Sequence, residues 1–247
     1  IGYNSLKLNT GSCNTGIGEQ ALTSNTTGAK NTGIGRGSLA ANTEGDNNVA
    51  IGDGALDANT TADNNTAVGG NALTNNTTGA GNTAVGFQSL NSNTEADDNT
   101  AIGMCAMCST TTGTANVAVG RRALISHTTG THNVAMGFNS MFSTTTGVCN
   151  VGVGGGALQS NTTGCYNVGV GRFANCANLT SNNNVAVGHL ALKLNTAANN
   201  TGVGFCALGS NTTGANNTAI GYSSMYEGTT TGSLNTMVGA SSGRKMT

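Results

Sequence analysis

Histidine, cysteine and acidic side chains are the groups through which this chain could do chemistry, and they are few. Its 247 residues include three histidines, seven cysteines and ten acids. His127 and His132 are near each other, but no carboxylate accompanies them, and His189 lies far along the chain. Because a catalytic or metal site needs several such groups to converge, we expect the three histidines in solvated loops.

Eight of the ten acids fall between Glu44 and Asp98. Calcium is bound by several oxygens that converge at about 2.4 Å, and the best local group for it is Glu95, Asp97 and Asp98. That group does not recur, so we favour a solvated acidic patch. We expect no metal site, no cofactor and no enzymatic activity.

The seven cysteines are odd in number and form no regular framework. Cys149 and Cys165 are the one pair that we would test for a bridge, and the alternative is that these cysteines are small buried or turn residues. Such a set does not resemble a disulfide-rich secreted domain and fits assembly in a reducing compartment, for example as a virion component.

Composition excludes several other classes of function. The Gly152-Val153-Gly154 piece resembles a nucleotide fingerprint, but it recurs and leads into no predicted helix. With 8% charged residues, 4% aromatic residues and a net charge of -1, nothing supports nucleic-acid binding. The sequence contains no run of about 20 apolar residues, so it does not predict a membrane-spanning segment.

A repeat of 17 residues positions all of these groups. A glycine that follows Val, Ile or Met marks each copy, and steps of 16 or 18 interrupt the period only near the ends. We call these residues the marker glycines: Gly2, Gly18, Gly35, Gly52, Gly69, Gly86, Gly103, Gly120, Gly137, Gly154, Gly171, Gly188, Gly204, Gly221 and Gly239.

Each copy predicts one short strand, Asn-[Thr/Val]-[Ala/Gly]-[Val/Ile]-Gly, followed by a short apolar segment and turns. One such unit cannot bury its own apolar face, but stacked copies can. We therefore predict an all-β parallel β-solenoid of about fourteen 17-residue coils, as a single domain over residues 1–247. Because Ile1 begins mid-motif, we expect a fragment of a longer chain.

An asparagine stands four residues before the marker glycine in every copy that has the position. We predict that these side chains form an amide ladder from coil to coil, although turn preference alone is an alternative. The column comprises Asn14, Asn31, Asn48, Asn65, Asn82, Asn99, Asn116, Asn133, Asn150, Asn167, Asn184, Asn200, Asn217 and Asn235.

The predicted strand has one face of Val or Ile and one of Ala or Gly. We expect the large residues to face inward and the small ones to form a smooth chain–chain interface, or else to relieve crowding within one chain. The small residues are Gly16, Gly33, Ala50, Ala67, Ala84, Ala101, Ala118, Ala135, Gly152, Gly169, Ala186, Gly202 and Ala219.

Two kinds of segment carry a family resemblance. Asn-Val-Ala-Val-Gly-x-x-Ala, as in residues 116–123 and 184–191, resembles the head repeats of YadA-type trimeric autotransporter adhesins. Longer Asn-Thr-Ala-Val-Gly units, as in residues 65–79, resemble arrays of phage tail-fibre-like proteins. The resemblance implies left-handed parallel β-rolls in a side-by-side homotrimer that serves as a receptor-binding fibre, although the adhesin repeat is shorter than 17 residues.

We therefore expect a non-enzymatic shaft or head of a fibre, extracellular on a cell surface or virion, whose partners are its own copies and a cell-surface glycan or protein receptor. One alternative is a self-assembling filament, glycosylated at the Asn-Thr-Thr sites if the chain is secreted by a suitable cell. Another is an ice-binding solenoid with a rank of threonines such as Thr26, Thr43 and Thr60. The five glycosylation candidates are Asn25, Asn59, Asn76, Asn161 and Asn211.

Overall fold

A computed structural model describes residues 1–226 and 231–243. The chain is an all-β parallel β-solenoid of about 13 turns, with no helix in these ranges, so the predicted fold class is confirmed. The described part of the chain thus contains no helix that could cross a membrane. Contacts divide the chain into two compact units, Ile1–Thr129 and Gly130–Thr247, and each is described by itself.

Each coil contributes one strand of three residues. In each unit, neighbouring strands are parallel and pair with equivalent residues one coil apart, as Thr66 pairs with Thr83. The first unit contains β1 (Thr15–Ile17), β2 (Thr32–Ile34), β3 (Val49–Ile51), β4 (Thr66–Val68), β5 (Thr83–Val85), β6 (Thr100–Ile102) and β7 (Val117–Val119). The second contains β8 (Val134–Met136), β9 (Val151–Val153), β10 (Val168–Val170), β11 (Val185–Val187), β12 (Thr201–Val203), β13 (Thr218–Ile220) and β14 (Thr236–Val238).

Strands stay short because positive φ angles bend the chain at fixed places. Around β4, Asn64 has a φ of 60° before the strand, and Asn71 and Leu73 have φ angles of 54° and 51° after it. A left-handed conformation costs a non-glycine residue about 1–2 kcal/mol. Burying a leucine side chain contributes about 1.5–3 kcal/mol, which offsets that cost at Leu73, whose side chain is fully buried.

The marker glycine meets two constraints that only glycine satisfies. Gly69 has a φ of +136°, and a Cβ atom there would lie 2.6 Å from the carbonyl oxygen of Gly86 in the next coil. Both the backbone conformation and the close approach of adjacent coils therefore exclude a side chain.

The interior of each unit is a stack of leucines against small residues. A Leu or Met four residues after the marker glycine is fully buried in most coils. Its partner is the middle residue of a strand, since a Cβ atom at Gly169 would lie 3.1 Å from Cγ of Leu158. The buried large side chains are Leu22, Leu39, Leu56, Leu73, Leu90, Met107 and Leu124 in the first unit, and Met141, Leu158, Leu192, Leu208 and Met225 in the second.

The predicted orientation of the strands is wrong. The middle residues of β1 to β13 face inward and are buried within a single chain, so they have no surface with which to form a chain–chain interface. The physical reason is that the leucine column and buried asparagines already fill the narrow interior, which leaves room only for Ala or Gly. The residues concerned are Gly16, Gly33, Ala50, Ala67, Ala84, Ala101, Ala118, Ala135, Gly152, Gly169, Ala186, Gly202 and Ala219.

Asn175 interrupts the leucine column of the second unit. Its side chain is fully buried, and neither its Oδ1 nor its Nδ2 has a hydrogen-bond partner among the described residues. A buried polar group left unpaired costs about 1–3 kcal/mol. This coil is therefore less stable than its neighbours, where Leu158 and Leu192 occupy the same position.

We predict that Gly69→Ala lowers the free energy of unfolding by about 2–4 kcal/mol, because it meets both a forbidden φ and a backbone contact. The matched control is Gly70→Ala, where a Cβ atom would meet the Phe87 ring at 3.5 Å and φ is not positive. The control should stay within about 0.5 kcal/mol of the unchanged chain. Urea unfolding followed by circular dichroism measures both, and equal losses would contradict the role given to the marker glycine.

We predict that Asn175→Leu raises the stability of the second unit by about 1–3 kcal/mol, because it removes two unpaired polar atoms and restores the apolar stack. Leucine already takes the required backbone conformation at the equivalent position, where Leu158 has a φ of 51°. The reciprocal change, Leu158→Asn, should lower stability. A melting temperature that falls in the first variant would show that Asn175 is satisfied in solution.

Candidate functional site

The outward face of each strand ladder is uncharged and partly exposed. The first and third residues of every strand point outward, and all of them are Thr, Val, Ile or Met. Val238 on this face is 69% exposed, and five further large apolar side chains are 38–42% exposed: Ile17, Ile51, Ile102, Met136 and Ile220. We call this surface the strand face.

The asparagines before each strand join the coils through both ends of the amide. Within each unit, the backbone N–H of each donates to Oδ1 of its equivalent one coil earlier, as Asn65 donates to Asn48 at 2.9 Å. Nδ2 of Asn65 donates to the carbonyl oxygen of Gly79, in the turn of the next coil, at 2.9 Å. These residues, which form the first asparagine column, are therefore structural, and the side chain bonds more to backbone groups than to the next amide.

A second asparagine column, seven residues after the marker glycine, forms the more direct amide ladder. Nδ2 of Asn42 donates to Oδ1 of Asn25 at 2.6 Å, and Nδ2 of Asn59 donates to Oδ1 of Asn42 at 2.8 Å. The same Nδ2 atoms also donate to turn carbonyls, and the carbonyl of Ala62 accepts from both Asn59 and Asn48. The two columns thus meet at the turn and lock its conformation.

This second column contains the five candidate glycosylation sites. All five side chains are fully buried, and Nδ2, the atom to which a glycan would be attached, donates hydrogen bonds inside the solenoid. A glycan on the folded chain would have no space at these positions. The residues are Asn25, Asn59, Asn76, Asn161 and Asn211.

The threonine rank that suggested ice binding has its hydroxyls occupied. Oγ1 of Thr26 donates to the carbonyl oxygen of Thr43 at 2.9 Å, and Thr43 donates in the same way to Thr60 at 3.1 Å. Thr77 continues the pattern. These hydroxyls, which are partly exposed, donate hydrogen bonds from one coil to the next.

The histidines do not come together, and one of them is not where the sequence predicts it. His127 is fully buried, because it replaces asparagine in the second column, and its Nδ1 lies 3.1 Å from Oγ1 of Thr110. A solvated loop position is therefore wrong for His127. His132 is exposed, and His189 is half-buried at 5.5 Å between ring centroids from Phe205.

Acidic side chains serve the backbone of the preceding coil. Oδ1 of Asp97 accepts a hydrogen bond from the backbone N–H of Ala80 at 2.7 Å. Oδ1 of Asp63 accepts one from the backbone N–H of Asp46 at the same distance. In residues 1–226 and 231–243, no group of three or more His, Cys, Asp or Glu side chains is arranged to hold a metal ion. Glu95, Asp97 and Asp98 accordingly form no such site.

One ion pair is present among the described residues, at a shallow polar hollow of the first unit. The Arg36 guanidinium donates to both carboxylate oxygens of Asp53, at 2.9 and 3.0 Å, on the exposed surface. This hydrogen bond lowers the pKa of Asp53 and raises that of Arg36. Partial burial, with a further contribution from Asp53, raises the pKa of Asp57 beside them. Arg36, the cation of this hollow, is therefore already paired with Asp53.

All seven cysteines are free thiols in the structure. Cys149 and Cys165 are not bridged, and the sulfur of Cys165 instead accepts from the N–H of Val148 at 3.4 Å. Burial is the main cause that raises the pKa of the Cys108, Cys176 and Cys206 thiols. These thiols therefore stay protonated at neutral pH, which makes them poor nucleophiles.

Comparisons with known proteins give no family: no family model, no curated protein and no solved structure matches this chain. The fold and its surfaces are therefore the basis for any statement on function.

Sequence reasoning missed two features of this chain. The second asparagine column has the same 17-residue period as the first, but we interpreted it only as turn residues. We did not predict the strand face, because we assumed that the β-branched residues face inward. The burial of Asn25, Asn42 and Asn59 shows why that assumption fails, since buried amides take the space.

We predict that Asn65→Asp destabilises the first unit at neutral pH, because it removes the donor to Gly79 and buries a charge. Burial raises the pKa of a carboxyl in the folded state. The folded variant therefore binds the extra proton more tightly, and its stability recovers as pH falls through the raised pKa toward the unfolded value of about 3.9.

The matched control is Asn64→Asp, one residue earlier, where the side chain is exposed and a φ of 60° suits Asp. Urea unfolding of both variants between pH 4 and 8 checks this. If Asn65→Asp matched Asn64→Asp at pH 7, the first asparagine column would not stabilise the fold through its donors.

Proposed function

We propose that this chain is a non-enzymatic structural module of an adhesion fibre, exposed on a cell surface or virion, in which copies associate side by side through the strand face. The observation that carries the proposal is the partly exposed, uncharged face of a parallel sheet. Parallel sheets are almost always covered on both faces. Here the solenoid interior covers only one.

The chemistry of the strand face suits a second copy of the same chain. Thr, Val and Ile recur on it in register within each unit, so two such surfaces are regular along the same direction. Contiguous apolar surface of this kind marks an interaction site. Its burial would contribute about 25 cal/mol per Å² of apolar area.

The resemblance of the Asn-Val-Ala-Val-Gly segments to YadA-type heads and to tail-fibre repeats supports three chains rather than two. We accordingly propose left-handed β-rolls in a side-by-side homotrimer. The interface lies on the β-branched residues of the strands instead of on their Ala and Gly residues. The work of such a module is mechanical, because it holds a binding surface away from the particle.

We predict that the unchanged chain is a trimer in solution, with three times the 24.3 kDa mass of one chain. Ile51→Asp combined with Ile102→Asp should convert it to a folded monomer, because two charges would be buried without partners in each copy. The matched control is Thr61→Asp combined with Thr112→Asp, on exposed turns of the first unit. Light scattering after gel filtration measures the mass, and circular dichroism checks the fold.

Other masses decide against the trimer. Open-ended polymers of the unchanged chain would favour the self-assembling filament. A stable monomer would overturn both forms of association. A monomer that also depresses the freezing point of water below its melting point would favour ice binding, since the strand face also presents hydroxyl and methyl groups in a regular, uncharged array about 4.8 Å apart.

A further inference from the structure

A surface groove runs across successive coils of the second unit. It consists of two adjoining hollows, of about 440 and 250 Å³, that share Gln159, Arg172 and Phe173. The larger is completed by Cys176, His189, Leu190 and Lys193, and the smaller by Phe138, Asn139, Gly155 and Gly156.

The groove is built from positions outside the columns that fill the interior. Its residues follow the marker glycine by one, two or five places, outside the asparagine and leucine columns. Gly155 and Gly156 have no side chains, which deepens the groove at this point. A Cβ atom at Gly156 would lie 2.5 Å from the Phe173 ring, so the ring packs directly on the backbone of the coil before it.

The groove has cations and no carboxylate. Arg172 and Lys193 are exposed, and neither forms an ion pair with a described residue. Residues 130–247 contain Arg172, Lys193, Arg244 and Lys245 against the single acid Glu227, which gives this unit a net charge of +3 with neutral histidines. Glu227 lies outside the described residues. The groove therefore attracts an anion, and none of the described residues that line it is an acid.

Two neighbouring groups leave the positive charge of the groove intact. The Arg172 guanidinium carbon lies 4.6 Å from the centroid of the Phe173 ring, a cation–π contact that orients the side chain. Burial outweighs the opposite effect of Lys193 and raises the pKa of the Cys176 thiol. The sulfur therefore adds no negative charge beneath the groove.

We propose that this groove binds an acidic glycan, with Arg172 and Lys193 recognising its carboxylate or sulfate groups. Gln159 and Asn139 can hydrogen-bond to sugar hydroxyls, and Phe138, Phe173 and Leu190 supply apolar surface for the carbon faces of the rings. An open groove suits a polymer better than a small ion, which would stay largely hydrated. A nucleic acid is less suited, because Arg172 already covers a face of Phe173 on which a base would stack.

This inference does not depend on association through the strand face. The groove lies outside the strands, and its residues come from one chain. A folded chain of any oligomeric state should therefore bind.

The test measures binding of hyaluronate and of heparin to the full chain by isothermal titration calorimetry at low and at physiological salt. Arg172→Gln combined with Lys193→Gln should weaken binding at least tenfold and leave the mass in solution unchanged. The control, Arg121→Gln combined with Arg122→Gln, removes two exposed positive charges from the first unit and should stay within twofold. Neutral dextran should not bind.

Three results would overturn the proposal. One is that neither polysaccharide binds the unchanged chain. Another is equal weakening by the two double variants, which would indicate attraction by net charge alone. A third is binding of a single-stranded oligonucleotide in preference to both polysaccharides. If the chain is monomeric but binds the polysaccharide through Arg172 and Lys193, the fibre proposal fails and the proposal of a glycan-binding groove stands.

Discussion

The structure depends on buried asparagine amides that serve the backbone of an adjacent coil. An amide such as Asn65 is fully buried, so each of its polar atoms needs a partner, and both partners, the carbonyl oxygen of Gly79 and the backbone N–H of Asn82, come from the coil after it. This requirement fixes the register of stacking. Where the period changes to 16 before Asn200 or to 18 before Asn235, the bond from backbone N–H to the preceding Oδ1 is still 3.0 Å. The turns absorb the change in length instead.

The same amides determine which way the strands face. Two asparagine columns and one leucine column occupy the interior, and the space beside Leu158 or Leu192 admits only Gly or Ala from the strand. The β-branched residues must then face outward, as Ile51 and Ile102 do. A polar interior therefore produces an apolar exterior on one face. The self-association that we propose rests on this inversion.

The repeat alone was sufficient to predict the parallel β-solenoid, because only stacked neighbours can complete so small a unit. Alternation could not predict which face of the strand points into the solenoid, since a strand with Val on one face and Ala on the other could bury either face. The volume of the interior decides which face is buried. That volume depends on Asn25 and its equivalents, which sequence reasoning placed in turns. His127 was misplaced for the same reason: only its column, not its type, indicates burial.

The side chain varies most at positions outside the asparagine and leucine columns. The residue after the marker glycine is Asp53 in one coil, Phe87 in another and Arg172 in a third, while the marker itself never changes. A solenoid of this kind can change its surface coil by coil without altering its fold, since these side chains take no part in the asparagine ladders. In the first unit's hollow Arg36 is paired with Asp53, and the carboxyl of Asp57 lies beside them. In the second unit's groove Arg172 and Lys193 form no ion pair with a described residue, which leaves the groove open to an anion.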